Sequence, residues 1–299
     1  MAAENGGGFD KIYCYSNSNV LKNKKGILIQ SELYDYERER SYIRLVDLDK
    51  KPIMGNLDYD HLKRIHKAIF QDVYDWAGKE RVVDIAKSNL FCRVMFISDM
   101  AEEIFQKYAK ENYLLGRSKT EVVERLSYYI GMINALHPFR EGNGRSQREF
   151  IRCAAAVAGY EMDWTDVGLD QMVKASIESF RGNNAELKKI FEQGLSQMSY
   201  KNQLLAAKSI AKKKGPLGIA CNNYFNNINR ISADLENNHY IAREETIRSI
   251  EHLERVAGCQ IEVKSLSLLL KVEGDIGIAA KQVSKSLSRL PSKINVPER

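Results

Sequence analysis

The stretch HPFREGNGRSQR, residues 137–148, holds one histidine, one carboxylate, a Gly-Asn-Gly triplet and three arginines. Apolar residues recur every three to four positions on both of its sides, and this spacing predicts a helix before the triplet and another after it. The first helix should open at a capping box, SKTE at residues 118–121, and end at His137. The second should span residues 144–158. The stretch is therefore predicted to form a tight loop between two helices.

Helical patterns continue on both sides of this loop. An amphipathic run begins at Leu62 and reaches Trp76. Three further helices are predicted, at residues 100–113, 170–179 and 185–195. The exception is the stretch 81–96, where β-branched and aromatic residues flank Lys87-Ser88-Asn89 and predict a short hairpin. The expected fold class is all-α with one small β-hairpin.

The composition is that of an ordinary globular protein. Of 299 residues, 44% are hydrophobic and 28% charged, and the five cysteines are dispersed, which favours reduced thiols over a disulfide framework. No apolar stretch approaches the ~20 residues that span a bilayer, and we find no signal peptide. The net charge of +6 is mild, and no nucleic-acid-binding module is recognisable. We therefore expect a cytoplasmic protein with no membrane or nucleic-acid partner, and export by a specialised secretion system stays open.

The composition changes at Lys201. Between Lys201 and Gly215 there are five lysines and no acidic residue, and Gly215-Pro216 then interrupts any helix. We interpret this stretch as a linker or a short solvated helix. The predicted organisation is a main domain at residues 1–197, a Lys-rich linker at 198–217, a helical module at 218–270 and a C-terminal tail at 271–299.

The loop within the quoted stretch suits an anion. The glycines of Gly142-Asn143-Gly144 permit unusual backbone angles, so that successive N–H groups can point towards one ligand. The loop also precedes a helix whose N-terminus carries a partial positive charge. Arg145 and Arg148, three positions apart, should share a helix face and hold further phosphate oxygens. The phosphate-loop signature GxxxxGK[ST] is missing, so the sequence predicts an oligophosphate site of another kind.

Two further side chains could supply chemistry at that site. Glu141 offers a hard carboxylate for Mg²⁺ that bridges two phosphates, and His137 offers an imidazole that can remove a proton from an attacking hydroxyl. Each residue alone is compatible with a plain helix end or turn, and a zinc site made of these two lacks a third ligand. Their joint occurrence indicates a nucleotidyl or phosphoryl transfer centre. Phe139 is expected to anchor the loop in the core, and Arg140 to be a solvated charge.

The quoted stretch matches every fixed position of HPFx[D/E]GNGRxxR, the motif of the Fic family (filamentation induced by cAMP). Residues 61–85 resemble the family's helix that leads into its target-binding flap, and residues 176–191 resemble its closing helices. The resemblance covers about residues 10–197 and extends to bacterial toxins of the VbhT type. It implies the helical Fic fold for this part of the chain.

The resemblance also implies an activity, which is transfer of AMP from ATP to a hydroxyl group of a target protein. His137 would be the general base, and Glu141 would hold Mg²⁺. The backbone of Gly142, Asn143 and Gly144 would bind the α- and β-phosphates. Arg145 and Arg148 would bind the rest of the triphosphate.

The hairpin at 87–94 would be the flap in such an enzyme. An extended target segment that adds its backbone to the hairpin edge would bring its hydroxyl near His137. Similar toxins modify bacterial type II topoisomerases, which makes those proteins candidate targets. The alternative is a plain surface loop. The predicted flap residues are Lys87, Ser88, Asn89, Leu90 and Phe91.

A second motif, SADLEN at residues 232–237, matches the inhibitory pattern [S/T]xxxE[G/N] of Fic enzymes. Residues 231–261 resemble a VbhA-type antitoxin, so a toxin and its antitoxin would be joined in one chain. The resemblance implies that Glu236 pairs with Arg148 and disturbs the γ-phosphate, with Ser232 and Asn237 as the other motif positions. The helix could act within its own chain or on a neighbouring copy. The alternatives are a solvated Glu236 and a Ser232 that only caps its helix.

Three other functions stay open at this stage. The first is an inactive nucleotide-binding module whose site is permanently occupied by the C-terminal segment. The second is transfer of another nucleotide or phosphate-containing group. The third is a helical scaffold or secreted effector whose C-terminus recruits a partner.

Overall fold

The computed structural model describes residues 10–87 and 89–237, without the side chains of residues 87, 89, 90, 227 and 229–237. This part of the chain has nine α-helices, two 3-10 helices and two small antiparallel sheets, which confirms the all-α fold class with a hairpin. The helices are α1 Gln30–Lys50, α2 Tyr59–Phe70, α3 Ile97–Lys110, α4 Lys119–Leu136, α5 Asn143–Ala158, α6 Leu169–Phe180, α7 Ala185–Gly194, α8 Tyr200–Ile210 and α9 Pro216–Asn237. The strands are β1 Ala86–Lys87, β2 Asn89–Leu90, β3 Tyr160–Met162 and β4 Leu195–Gln197, and the 3-10 helices are Val94–Phe96 and Asn112–Leu114.

Helix α5 lies at the centre and packs against α2, α4 and α8. It ends in the run CAAAVA, residues 153–158, in which every residue is buried. Small side chains let neighbouring helices approach closely, and the buried apolar area stabilises the fold. Helix α4 begins at the predicted capping box, where the amide of Glu121 donates to Ser118 Oγ and its carboxylate accepts from the amide of Ser118 at 3.0 Å. Both helices predicted on either side of the loop at residues 137–143 are confirmed.

Two predicted helices have different ends. Helix α2 stops at Phe70, although the apolar pattern continues to Trp76. Tight turns replace the helix there, since the amides of Val73 and Tyr74 both donate to the carbonyl of Phe70 at 3.0 Å. Helix α3 begins earlier than predicted, at Ile97, and ends at Lys110. The apolar side chains are buried in either geometry, so periodicity alone did not mark these ends.

The Lys-rich stretch, interpreted as a linker or a short solvated helix, contains a helix, α8, that packs on the core. One face of α8 is buried, whereas the lysines of the stretch are exposed. On that face, Gln203 Nε2 donates to the carbonyl of Val157 in α5 at 2.9 Å. Helix α9 follows, and its Phe225 ring packs 5.5 Å from that of Tyr200. The module that carries the second motif therefore begins on the core and not on a free tether.

Helix α1 and the sheet formed by β3 and β4 were not predicted from the sequence. The buried positions of α1 are Leu33, Glu37, Ser41 and Leu48, so its inner face lacks a continuous apolar stripe. Among the described residues, no helix combines the length and apolar content that crossing a membrane requires.

Candidate active site

His137 lies just after the last residue of α4, in a left-handed conformation with φ 44° and ψ 59°. Such angles are rare for a residue with a side chain, and they turn the chain sharply out of the helix. The imidazole is half-buried. Its Nδ1 lies 3.2 Å from the carbonyl of Asn134, which can only accept, so this contact favours the tautomer in which the neutral ring carries its proton on Nδ1 and Nε2 is the basic nitrogen.

Gly142 and Asn143 fix the backbone conformation of the loop that follows. Gly142 has φ +81°, and a Cβ there would lie 2.3 Å from the ring of Phe70, so only glycine fits. Asn143 is buried, and its side chain makes two hydrogen bonds to the backbone of Phe139: Oδ1 accepts from the amide at 2.9 Å and Nδ2 donates to the carbonyl at 2.7 Å. Phe139 itself is buried, which confirms it as the core anchor.

Helix α5 begins at Asn143, so the first amides of the helix have no carbonyl of a preceding turn to bond. Gly144 in this first turn is exposed to solvent. The side chain of Arg148 folds back over it, because Nη1 lies 3.5 Å from the position that a Cβ on Gly144 would take. The predicted anion site thus consists of a helix N-terminus with a guanidinium beside it.

The two arginines of the motif have different surroundings. Burial lowers the pKa of Arg148, with the charge of Arg145 as a second cause, and no carboxylate in the described part of the chain pairs with it. Arg145 forms an ion pair with the buried Glu37 of α1, donates to Ser41 Oγ at 2.9 Å and lies over the Phe70 ring. The structure therefore does not bring them together as two equivalent phosphate clamps.

Glu141 directly precedes the Gly-Asn-Gly triplet in the loop. Its Oε1 accepts from the amide of Gly142 at 2.8 Å. No group of three or more His, Cys, Asp or Glu side chains that could hold a metal ion exists among the described residues. A single carboxylate suits Mg²⁺, which keeps several waters and takes its other ligands from phosphates. Glu141 therefore fits a cation that arrives with a nucleotide.

His66 is a site residue that the sequence did not reveal. It is buried in α2, and its Nε2 donates to the carbonyl of Glu141 at 2.9 Å while Nδ1 accepts from the amide of Gly78 at 2.8 Å. Burial lowers its pKa to about 4, so the ring is neutral near pH 7. The ring also stacks on Phe139 at 3.8 Å. His66 holds the loop in place, although its partners are backbone atoms that leave no sequence signal.

The predicted flap is present as a hairpin. Ala86 pairs with Leu90, and Lys87 pairs with Asn89, in antiparallel register. Ser88 lies outside the described residues, and Lys87, Asn89 and Leu90 are described by backbone only. Phe91 is different, because its ring stacks on the imidazole of His137 with centroids 3.8 Å apart.

Two arginines around the flap and loop differ from expectation. Arg140, expected to be solvated, has a side chain only 16% exposed and pairs with Asp10 at 2.9 Å. Arg81, which the sequence did not single out, is completely buried beneath the flap, and its Nε donates to the carbonyl of His137 at 2.9 Å. The predicted inhibitory residues Ser232, Glu236 and Asn237 lie on α9 by their backbone, and their side chains are outside the description.

A profile of the Fic/DOC family matches residues 56–155. Protein adenylyltransferase VbhT of Bartonella schoenbuchensis is 40% identical over 207 residues, which cover 69% of this chain and 43% of that protein. The chain thus matches less than half of that relative's length. The probable protein adenylyltransferase Fic of Salmonella typhimurium is 33% identical over 186 residues, which cover 62% of this chain and 92% of that protein.

Solved structures share the fold. The N-terminal Fic domain of a Bartonella quintana Bep effector, with bound ADP, has a TM-score of 0.62 at 27% identity and covers 66% of this chain and 100% of that one. BepC of Bartonella tribocorum, with bound AMPPNP, has a TM-score of 0.61 at 25% identity, with coverages of 63% and 98%. Because a relative with a third of its residues identical is matched over nearly its whole length, this chain belongs to the Fic/DOC family.

Proposed function

We propose that this chain is a protein adenylyltransferase, which transfers AMP from ATP to a hydroxyl group of a target protein. One observation carries the proposal: a single loop joins an imidazole whose Nδ1 faces the carbonyl of Asn134 to a helix N-terminus with the guanidinium of Arg148 beside it, which no carboxylate of the described residues neutralises. Two relatives named as adenylyltransferases, and Fic domains with bound ADP and AMPPNP, support it.

In this proposal His137 is the general base. Its Nε2 takes the proton of the target hydroxyl while the hydroxyl oxygen bonds to the α-phosphorus of ATP. The bond between the α-phosphorus and the oxygen that bridges to the β-phosphate breaks, and pyrophosphate leaves. The carbonyl of Asn134 keeps the proton on Nδ1, so that the lone pair stays on the nitrogen that must act.

The nucleotide is held by the first turn of α5. The amides of Asn143 and Gly144 bind the α- and β-phosphates at the positive end of the helix dipole. Arg148 binds the terminal phosphate, because its charge lacks a carboxylate partner in the described residues. Arg145 has a secondary role in phosphate binding. Its ion pair with Glu37 fixes α5 against α1, and its remaining donors can reach an outer phosphate oxygen.

Glu141 would hold Mg²⁺ together with the phosphates. When bound, the ion would neutralise charge on the phosphate oxygens. The protein's own part is to aim the carboxylate, which the amide of Gly142 and the bond from His66 to the Glu141 carbonyl both do.

The target binds at the flap formed by β1 and β2. An extended target segment adds its backbone to the hairpin edge, which requires little of the target's sequence and brings a hydroxyl to His137. Phe91 stacks on the imidazole and lines the path by which the target hydroxyl reaches His137. The candidate target class is bacterial type II topoisomerases, as in similar toxins.

We further propose that the end of α9 restrains the enzyme. Glu236 would pair with Arg148 and compete with the terminal phosphate for the same donors. The SADLEN pattern at residues 232–237 supports this, and the first half of α9 packs on the core of the same chain. The inhibitory helix would then act on its own chain, and an action on a neighbouring copy is the alternative.

Labelling with α-phosphate-labelled ATP tests this function. The Glu236→Gly variant with Mg²⁺ should label itself or proteins of a bacterial lysate, and adding His137→Ala should abolish the label. ATP binding measured by calorimetry separates the alternatives: binding without transfer in Glu236→Gly would indicate an inactive regulatory module, and no binding a scaffold. Competition by CTP, GTP and UTP tests whether another nucleotide is the donor.

A further inference from the structure

A buried cation lies beneath the flap. The side chain of Arg81 is 0% exposed, and its guanidinium donates to three backbone carbonyls. Nε donates to His137 at 2.9 Å, Nη1 to Val83 at 2.9 Å and Nη2 to Cys92. The backbone amide of Arg81 adds a fourth bond, to the carbonyl of Pro138 at 2.9 Å.

These carbonyls belong to both stems of the flap and to the catalytic loop. Val83 precedes β1, and Cys92 follows β2. The second stem is also fixed to α4, because the amide of Cys92 donates to the carbonyl of Ala135 at 3.0 Å. One planar guanidinium therefore ties both stems of the hairpin to the backbone of His137.

Packing alone does not explain a charge in this position. Burying a guanidinium costs free energy unless its donors are satisfied, and an apolar side chain would fill the same volume without that cost. The nearest carboxylate, Asp84, is 3.8 Å away and exposed, so the carbonyls provide most of the compensation. Asp84 is itself used by the flap, since its Oδ1 accepts from the amide of Val94 at 2.7 Å.

Two side chains contact His137, one at its backbone carbonyl and one at its ring. Its carbonyl is held by Arg81, in a left-handed backbone conformation that needs support, and its ring is covered by Phe91 of the flap at 3.8 Å. A displacement of either flap stem therefore changes both the backbone and the ring contact of the same histidine.

We propose that Arg81 is a positioning residue that couples the flap to His137, so that a target segment docked on the flap also fixes the imidazole. This inference rests on the proposed function for its consequence, but the coupling itself is a physical property of the chain. It explains why the stems are joined to the loop through a charged side chain whose fork reaches several carbonyls at once.

Arg81→Lys tests the coupling, because lysine keeps the charge but cannot span three carbonyls. We expect AMP transfer at saturating ATP to fall about 10- to 100-fold, with the KM for ATP nearly unchanged, because misplacement of a catalytic group affects turnover more than nucleotide binding. Arg93→Lys is the matched control, since Arg93 is exposed on the second stem, next to Cys92, and faces the same Asp84. A proportional loss of ATP affinity in Arg81→Lys would indicate a merely structural role and overturn the proposal.

Two measurements do not depend on activity. Nitrogen-15 spectra of the imidazoles should show the Nδ1–H tautomer of His137 in the wild type and in Arg93→Lys, and a tautomer mixture in Arg81→Lys; an unchanged tautomer would contradict the proposal. If the Arg81→Lys variant does not fold, hydrogen exchange of the wild-type protein tests the coupling instead. The amides of Arg81, Cys92 and His137 should share one opening free energy, and independent opening of Cys92 would refute the coupling.

Discussion

Arg145 and Arg148 lie three positions apart on α5, yet among the described side chains only Arg145 is paired with a buried carboxylate. Arg148→Ala should weaken ATP binding about 10- to 100-fold, the loss expected for a charge-assisted hydrogen bond, and should change the free energy of unfolding by less than about 1 kcal/mol. Arg145→Ala should instead lower the free energy of unfolding by about 3 kcal/mol, because it leaves Glu37 buried without its cation.

Calorimetry of ATP binding and urea denaturation of both variants check this division. Arg145→Ala combined with Glu37→Gln should recover part of the lost stability, since the uncompensated charge is removed. Equal effects of the two single substitutions on both quantities would contradict the division.

His61 and His66 give the fold a pH dependence. Burial lowers the pKa of each to about 4, below the unfolded value of 6.5, so the unfolded chain binds more protons between these values. Stability is therefore fully present above pH 6.5 and falls as the pH drops to 4, by about 3 kcal/mol for each histidine. His66→Gln should reduce this pH dependence by about half in urea denaturation series at several pH values. An unchanged slope would show that His66 is not buried neutral.

The sequence pointed more readily to the residues proposed to act through their own chemistry than to those that support them. His137, Glu141 and Arg148 stand in a motif whose spacing indicates a loop and an anion site. His66 and Arg81 donate to backbone carbonyls of residues distant in sequence, and such bonds have no counterpart in residue type or spacing. Only the fold brings them to the site.

Among the elements, helices α4 and α5 could be predicted because residues that are typical of helix ends mark where they begin or stop. The capping box opens α4, and Gly159 follows α5 in a left-handed conformation. Helix α1 lacked such a signal, since two of its buried positions, Glu37 and Ser41, are polar and serve Arg145. The pair of β3 and β4 is only three residues long, too short for an alternating pattern to be visible.

The lysine-rich composition of the α8 region suggested a solvated stretch, although one face of this helix packs on the core. Ala207 is buried against the core while its neighbour Lys208 is exposed. Ala207→Asp should therefore lower the melting temperature by several degrees, because it buries an unpaired charge, and Lys208→Asp should have little effect. Thermal denaturation followed by circular dichroism checks the pair. Equal and negligible shifts would mean that the stretch is a free linker after all.

At the scale of the whole molecule, the attachment of α9 to the core bears on regulation. If Glu236 restrains its own chain, Glu236→Gln should raise the rate of AMP transfer at least about tenfold, because it removes a charged competitor for Arg148. Asp234→Asn, two positions earlier on the same helix, is the control and should not activate. The rate per molecule should be independent of protein concentration, whereas a rate that falls with concentration would indicate inhibition by a neighbouring copy.

The most direct test of the central claim compares two labels of ATP. The Glu236→Gly variant is incubated with Mg²⁺ and a bacterial lysate, once with the label on the α-phosphate and once on the γ-phosphate. The α-label should appear on protein, the γ-label should leave with pyrophosphate, and His137→Ala should abolish the transfer. Protein labelled from the γ-phosphate, or α-labelled equally by His137→Ala, would contradict the account.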